Sequence, residues 1–303
     1  DALTYTNLAI QKMPKYAKAY YTKALIYSHN RQYNDAIANI QKAIEYSPRE
    51  GEYYALLGDL YQASEQTENA LANYKKAIAQ TNPSERAYYM IATIYTDQDN
   101  QEEALKALRI AKSKIIKDKE LYVTTLYNVG TMEFNNHDYK NAIVAYKELI
   151  DYFPDDYYSI EKLIQSYYAQ EEYSKGDVYK NRLYAAYDKG ELSNTSLHDM
   201  FCISHFTVGN TTISAYERFE KPGNVSMIKN IFYIIGNDGN IESSINLEYI
   251  PPKMSGAKGS CRLIQIKDGT PYGFGLIIDQ NPAFDTLKQL VTDIIEGKLK
   301  PVG

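Results

Sequence analysis

The most restrictive feature of this sequence is a spacing of 34 residues that recurs through its first 111 residues. Alanine returns at this interval at Ala2, Ala36, Ala70 and Ala104. Other residue classes keep the same interval: a second set of alanines (Ala9, Ala43, Ala77, Ala111), small residues (Ala24, Gly58, Ala92) and two sets of tyrosines (Tyr20, Tyr54, Tyr88 and Tyr27, Tyr61, Tyr95). A fixed period of this length predicts an array of similar helix pairs, in which each pair packs only on its neighbours.

The residue types at these positions agree with two antiparallel helices per repeat. Ala24, Gly58 and Ala92 lie on the first helix, where the second helix must come close. A larger side chain there would overpack the contact, at a cost of about 1–3 kcal/mol. Ala70 and Ala77 are seven residues apart, which puts them on one face of the second helix. Because proline cannot continue a helix, four prolines near the ends of second helices turn the chain into the next repeat: Pro14, Pro48, Pro83 and Pro154.

This pattern resembles the tetratricopeptide repeat family. In residues 17–50 the matching positions are Tyr20, Ala24, Tyr27, Ala36, Ile40, Ala43 and Pro48. The resemblance implies a partial repeat over residues 1–16 and further repeats over residues 17–50, 51–84, 85–118, 123–156 and 157–190, the last of them degenerate. Residues 1–192 are therefore expected to form an α-helical superhelix, or αα solenoid. Asp1 falls where a second helix should begin, so we expect a helix or a targeting segment upstream of it.

The resemblance also implies a binding groove. In this family the first helices line the concave side of the superhelix, and the second, fifth, ninth and twelfth positions of each repeat face it. Such a surface suits an extended peptide or protein segment. The alternative is that each tyrosine there only packs on neighbouring helices. The residues predicted to line the groove are Tyr21, Leu25, Asp59, Tyr89, Thr93, Tyr127, Asn128, Thr131 and Gln165.

Residues 193–303 differ in pattern and resemble no family. Apolar runs of strand length alternate with turn residues such as Lys221-Pro222-Gly223-Asn224, which predicts an antiparallel β-meander. A final helix is predicted with Asn281 as N-cap, Pro282 at its first position and Gly297 at its end. Its apolar stripe should pack across one face of the sheet. The predicted strands are Phe201–Val208, Thr211–Phe219, Met227–Ile235, Ile241–Ile250, Cys261–Lys267 and Tyr272–Ile278.

No arrangement of residues in the sequence predicts catalysis. His198, Cys202 and His205 have the spacing of a metal site, but in a regular strand Cys202 and His205 point to opposite faces, which argues against one. We expect no metal and no cofactor. Cys202 and Cys261 form either a disulfide, which we favour slightly, or two buried thiols. The enzyme motifs with known spacing are absent, so we expect a protein that is not an enzyme.

Composition narrows the function further. The formal charge is −5 and no basic block stands out, so nucleic acid is not an expected partner. The chain contains 31 Tyr and no Trp, and tyrosine combines an apolar ring with a polar tip. We therefore predict a non-enzymatic scaffold that binds a peptide or protein. The alternative is a module that binds a small ligand or glycan near Tyr272 and Phe274, with the repeats as spacer. An extracytoplasmic bacterial location is favoured, and a cytoplasmic one is the alternative.

Overall fold

The computed structural model describes residues 2–220 and 227–302. Within them, eleven helices precede the first strand, in chain order and at the spacing that the repeats predict. Their bounds are α1 (Ala2–Lys12), α2 (Ala17–His29), α3 (Tyr33–Tyr46), α4 (Gly51–Ala63), α5 (Thr67–Ile78), α6 (Glu85–Asp97), α7 (Gln101–Lys114), α8 (Lys119–Asn135), α9 (Tyr139–Tyr152), α10 (Tyr157–Ala169) and α11 (Tyr173–Asp188). The predicted helical repeats are confirmed.

Close contacts between helices explain the small residues of the repeat. Ala24, Ala36 and Ala43 are fully buried where α2 meets α3. A Cβ atom added at Gly58 in α4 would lie 2.7 Å from the Tyr74 ring of α5. Van der Waals contact begins near 3.4 Å, so no larger residue is accommodated without movement of the ring. The 34-residue pattern therefore records where one helix touches the next.

The turn inside each helix pair has a feature that the sequence pattern did not predict. One residue of every such turn adopts a left-handed backbone conformation with φ between 56° and 60°, although none of the five is glycine. This conformation costs about 1 kcal/mol for a residue with a Cβ atom. It reverses the chain after the first helix of each pair. The five residues are Arg31, Glu65, Asp99, His137 and Glu171.

Two compact units divide the chain at residues 132 and 133, inside α8. Unit 1 is Asp1–Met132 and unit 2 is Glu133–Gly303. Unit 2 therefore combines the last repeat helices with the C-terminal sheet. The domain boundary predicted near residue 192 instead marks the point along the chain where helices give way to strands.

The C-terminal region forms the predicted antiparallel meander. Six strands lie in the sheet in chain order, and each pairs antiparallel with the next. Their bounds are β1 (Met200–Val208), β2 (Thr211–Arg218), β3 (Met227–Ile235), β4 (Ile241–Ile250), β5 (Ser260–Lys267) and β6 (Thr270–Gly273). The predicted turn at Lys221–Asn224 lies outside the described residues.

The last predicted strand, Tyr272–Ile278, is wrong in its extent. Strand β6 ends at Gly273, and Ile278 makes only an isolated bridge to Cys261. The carbonyl of Gly273 accepts a hydrogen bond from the amide of Val302 at 2.9 Å. The C-terminal segment therefore lies beside the end of β6 and bonds to its backbone. Phe274 turns inward and is buried.

Helix α12 (Phe284–Ile295) closes the chain and begins later than predicted. Its N-cap is Ala283 rather than Asn281, and no side chain caps it. Phe284 packs against Phe232 of β3, with ring centroids 6.3 Å apart, so packing on the sheet fixes the first turn. The predicted stop at Gly297 is confirmed by its positive φ of 71°.

The slight preference for a disulfide is wrong. Cys202 lies in β1 and Cys261 in β5, with three strands between them, and both are free, buried thiols. Among the described residues, no helix combines the length and apolar character that a membrane span requires.

Candidate functional site

The first helices of unit 1 place several predicted groove residues at least partly in contact with solvent. Leu25 on α2 keeps 41% of its surface exposed. Tyr21 is half-buried, and its ring lies 5.1 Å from that of Tyr53 in the next repeat. Burial, followed by the nearby Glu52 carboxylate, raises the pKa of the Tyr21 phenol. Tyr21 thus packs on a neighbouring repeat, as the alternative interpretation of these tyrosines proposed.

Asp59 is held by other residues of the repeats. Its two carboxylate oxygens accept hydrogen bonds from Nη1 of Arg86 at 2.7 and 2.6 Å. The Tyr74 hydroxyl donates to Oδ1 at 2.6 Å. Burial, followed by this bond to Asp59, raises the pKa of Tyr74. The carboxylate therefore ties α4, α5 and α6 together, a role that the groove prediction did not include.

Four of the predicted groove residues line one cavity between α6 and α8. The cavity has a volume of about 240 Å³, and Tyr89, Thr93, Asn128 and Thr131 are among its walls. Its other walls are mainly apolar side chains and side chains with methyl groups: Ala92, Thr96, Asp97, Leu108 and Met132. The family register thus brought together residues 35 or more positions apart in the chain.

Polar atoms at this cavity are incompletely satisfied. The side-chain amide of Asn128 donates to the Tyr89 hydroxyl at 3.0 Å, which links α8 to α6. The Thr131 hydroxyl is buried and has no hydrogen-bond partner among the described residues. An unsatisfied buried hydroxyl costs about 1–3 kcal/mol. Tyr127, half-buried on the same helix, does not line the cavity.

In unit 2, strand β1 and α12 occupy the face of α10 that the family register assigned to the groove. The Glu161 carboxylate accepts a hydrogen bond from the Cys202 amide at 2.7 Å. Gln165, a predicted groove residue, is 2% exposed, and its Oε1 accepts from Lys162 at 3.2 Å. Tyr168 is buried as well, in ring contact with Phe284 of α12. The positions of α10 that the family register assigns to the groove are therefore covered by the chain's own C-terminal region.

A β-bulge corrects the expectation that Cys202 and His205 point to opposite faces. The strand register shifts between Cys202 and Ser204, so the intervening residue breaks the alternation. Cys202 Sγ lies 3.3 Å from Nε2 of His205, and Nδ1 of His205 lies 3.1 Å from the Ser214 hydroxyl. The sequence carries no glycine or other residue that would have indicated the bulge.

This Cys202–His205 pair lacks the properties of a catalytic nucleophile. Cys202 is 3% exposed, and burial, followed by the Glu161 carboxylate, raises the pKa of its thiol. Burial also lowers the pKa of His205, which favours the neutral imidazole. Reactive cysteines have a lowered pKa and access to solvent. Within residues 2–220 and 227–302, no three His, Cys, Asp or Glu side chains gather as a metal site.

Glu217 in β2 is a buried acid that the sequence analysis missed. It is 3% exposed and accepts a hydrogen bond from the Tyr184 hydroxyl of α11 at 2.6 Å. The alternation of the strand contains the information that was overlooked. Ile213 and Ala215 are fully buried, and Glu217 continues the same inward phase.

The helical part thus consists of tetratricopeptide-type repeats, joined to a C-terminal antiparallel sheet. Residues 29–111 match the family model described as "Anaphase-promoting complex, cyclosome, subunit 3", and no family model matches the C-terminal region. No curated protein matches the sequence.

Several solved structures of repeat proteins are similar to the chain. The C-terminal part of a TPR repeat-containing protein from Cytophaga hutchinsonii is 16% identical, with a TM-score of 0.48, over 63% of this chain and 75% of that chain. YrrB, described as a TPR protein with an unusual peptide-binding site, is 20% identical, with a TM-score of 0.46, over 60% of this chain and 91% of that chain. MamA is 19% identical, with a TM-score of 0.45, over 61% of this chain and 98% of that chain. Similarities at this level assign no partner to the chain.

Proposed function

We propose that this protein is a non-enzymatic scaffold that binds an extended segment of another protein along the first helices of unit 1. The observation that carries the proposal is the cavity between α6 and α8. It gathers Tyr89, Thr93 and Thr131, which the repeat register assigns to the groove, and Asn128, which is adjacent to a register position. A concave site with a mainly apolar lining and few polar groups is typical of ligand pockets.

The lining favours one kind of anchor from the partner. Ala92, Leu108 and Met132 supply apolar surface, and Asn128 and the Tyr89 hydroxyl supply polar groups beside it. An apolar or aromatic side chain with a polar tip would bury its body there. The tip would then reach the Asn128 amide and the Tyr89 hydroxyl. Asn128 can also hydrogen-bond to the backbone of an extended peptide, as side-chain amides both donate and accept.

The chemistry of the described residues supports a role in binding rather than catalysis. The Cys202 thiol and the Ser214 hydroxyl, which lie within hydrogen-bond distance of the His205 imidazole, are both buried, and burial raises the pKa of the thiol. The extracytoplasmic location stays a prediction, and Cys202 and Cys261 lend it no support because both are free thiols.

The test is a selection from a random peptide library on the full chain, followed by affinity measurements on the recovered peptides. The two groove variants are Tyr89→Ala and Asn128→Ala. The matched control is Tyr5→Ala, because the Tyr5 ring is largely exposed on α1. Loss of a desolvated anchor contact costs about 1.4–3 kcal/mol, which is a tenfold or greater loss of affinity.

Each result has a clear meaning. We expect weaker binding in both groove variants, unchanged binding in Tyr5→Ala, and unchanged circular dichroism spectra in all three. Peptides that bind the groove variants as well as the original chain would refute the proposed site. Failure to recover any peptide would refute the binding of extended segments.

A further inference from the structure

Unit 2 contains a second cavity, of about 280 Å³, which no sequence motif predicted and which lies outside the proposed peptide site. It is bounded by α10 and α11, by the inner face of β2 and β3, and by the segment that opens α12. Its volume lies just below the range of about 300–1,000 Å³ that small-molecule sites occupy. A single small molecule, rather than a peptide, matches this size. Tyr272 and Phe274, where the sequence placed a small-ligand site, do not line it.

The polar side of this cavity is a network of charged and amide groups. Glu217 and Asn230 face each other across β2 and β3, with Asn230 Nδ2 at 3.5 Å from Glu217 Oε2. Lys180 of α11 reaches between two carboxylates. Its Nζ lies 3.4 Å from Glu217 Oε2 and 3.3 Å from Asp177 Oδ1. The cavity therefore offers acceptors from the acids and donors from the lysine and the amide.

The apolar side is a wall of three aromatic rings. Tyr168, Tyr173 and Phe284 have mutual centroid distances of 5.3, 5.0 and 5.6 Å. Rings at these distances are in contact with one another. They leave no space between them for a cation, as an open cage of rings would. Their planes are tilted to one another by 52–86°, and together they form the apolar side of the cavity.

The charges around the cavity select the class of ligand. Lys180 pairs with Glu217 and Asp177, and a third carboxylate, that of Asp285, also lines the cavity. Lys180 also stands over the Tyr168 ring at 5.9 Å, so the protein's own ammonium group already occupies the position that a ligand cation would take. An anion would meet the three carboxylates. A neutral molecule avoids both penalties.

We propose that this cavity binds a neutral polyhydroxylated molecule, such as a single sugar unit. Its hydroxyl groups would donate to Asp177 and Glu217 and accept from Lys180 and Asn230, because a hydroxyl is both donor and acceptor. Its C–H face would lie on the wall formed by Tyr173 and Phe284. Such a ligand uses each feature of the cavity, and its binding is independent of the peptide groove in unit 1.

The experiment is ligand-observed saturation-transfer NMR on the full chain. The probes are D-glucose, D-galactose, D-mannose, N-acetyl-D-glucosamine and glycerol, with choline and acetate as charged comparisons. We expect at least one neutral probe to bind, with a dissociation constant of about 1 mM, as suits a small ligand with few contacts. Choline and acetate are expected to give no saturation transfer.

Two variants and a control locate the binding. Asp177→Asn preserves the shape of the side chain while removing its charge, and Tyr173→Ala opens the aromatic wall. Each should weaken binding about tenfold. Tyr272→Ala, which removes an exposed ring on β6 away from the lining, should bind as the original chain does.

Three results would overturn the proposal. The first is that no neutral probe binds. The second is that the probe binds Asp177→Asn and the original chain equally well. The third is that choline or acetate binds in place of the neutral probes and is lost in Asp177→Asn. Because Asp177→Asn changes only one terminal group, its folding is expected to persist even if Tyr173→Ala unfolds.

Discussion

Gly51, the first residue of α4, provides a demanding test of how closely the repeats pack. A Cβ atom added there would lie 2.5 Å from the Ala77 carbonyl oxygen, 2.6 Å from the Asn82 carbonyl oxygen and 2.6 Å from the Ser84 nitrogen. All three are backbone atoms, so no side chain can rotate away. The substitution Gly51→Ala must therefore move the segment that links α5 to α6.

The cost of that movement follows from the contacts it breaks. Overpacking alone costs about 1–3 kcal/mol. The segment is held by hydrogen bonds from the Gly51 amide to the Asn82 carbonyl at 2.8 Å and from the Ser84 amide to the Ala77 carbonyl at 3.4 Å. Loss of both adds about 2 kcal/mol. Alanine regains up to about 1 kcal/mol as the better helix former. The expected net destabilisation is about 2–4 kcal/mol.

Hydrogen–deuterium exchange measures this cost locally, because neighbouring helix pairs open as separate cooperative units. We expect amides of α4 and α5 to exchange about 30-fold faster or more in Gly51→Ala, which corresponds to about 2 kcal/mol. The matched control is Gly273→Ala, since a Cβ atom at Gly273 meets no atom within 4 Å. Exchange in Gly51→Ala within threefold of the original chain, or an equal change on both substitutions, would show that the argument from close packing is wrong.

Three further predictions concern single groups. Tyr74→Phe removes the hydroxyl bond to Asp59, so α5 should lose about 1 kcal/mol of local stability by hydrogen exchange; no change would exclude a role for that bond. Cys202 and Cys261 are buried thiols, so a thiol reagent should label neither in native protein and both in urea; rapid native labelling would contradict their burial. Burial, partly opposed by the hydrogen bond from the Cys202 amide, raises the pKa of Glu161 above 4.5, so its contribution to stability is present below pH 4.5 and is lost as the pH rises through the native pKa. Glu161→Gln should lack this loss in urea titrations at pH 4.5 and neutral pH, and identical pH profiles would refute the assignment.

Much of the repeat architecture could be predicted because its residues meet at a constant interval. Gly58 is small because the Tyr74 ring of the next helix passes over it, and a small residue, Ala92, recurs 34 residues away. The register also brought Thr93 and Thr131 to one cavity, since it assigns equivalent positions of neighbouring first helices to one face. In both cases local periodicity determines the tertiary neighbour.

The register fails where a residue's neighbour lies outside the repeat. Gln165 occupies the same repeat position as Leu25, yet it is buried, because β1 packs against α10. The bulge that brings Cys202 to His205 is also invisible in the sequence, because it depends on the pairing of β1 with β2. Gln165 thus lies where the sheet meets the repeats, and Cys202 lies where a strand departs from regular alternation.

The contacts between the fifth repeat and the C-terminal region explain why that repeat has a degenerate sequence. A terminal repeat has no following repeat to cover it and needs another way to protect its surface. Here β1 and α12 provide the cover: Glu161 bonds to the β1 backbone, and Tyr168 contacts Phe284. Glu217 joins the same interface from β2 through the Tyr184 hydroxyl of α11. The residues of α10 and α11 therefore pack against a sheet rather than against a further helix pair, and the groove positions Gln165 and Tyr168 become part of the protein's own core.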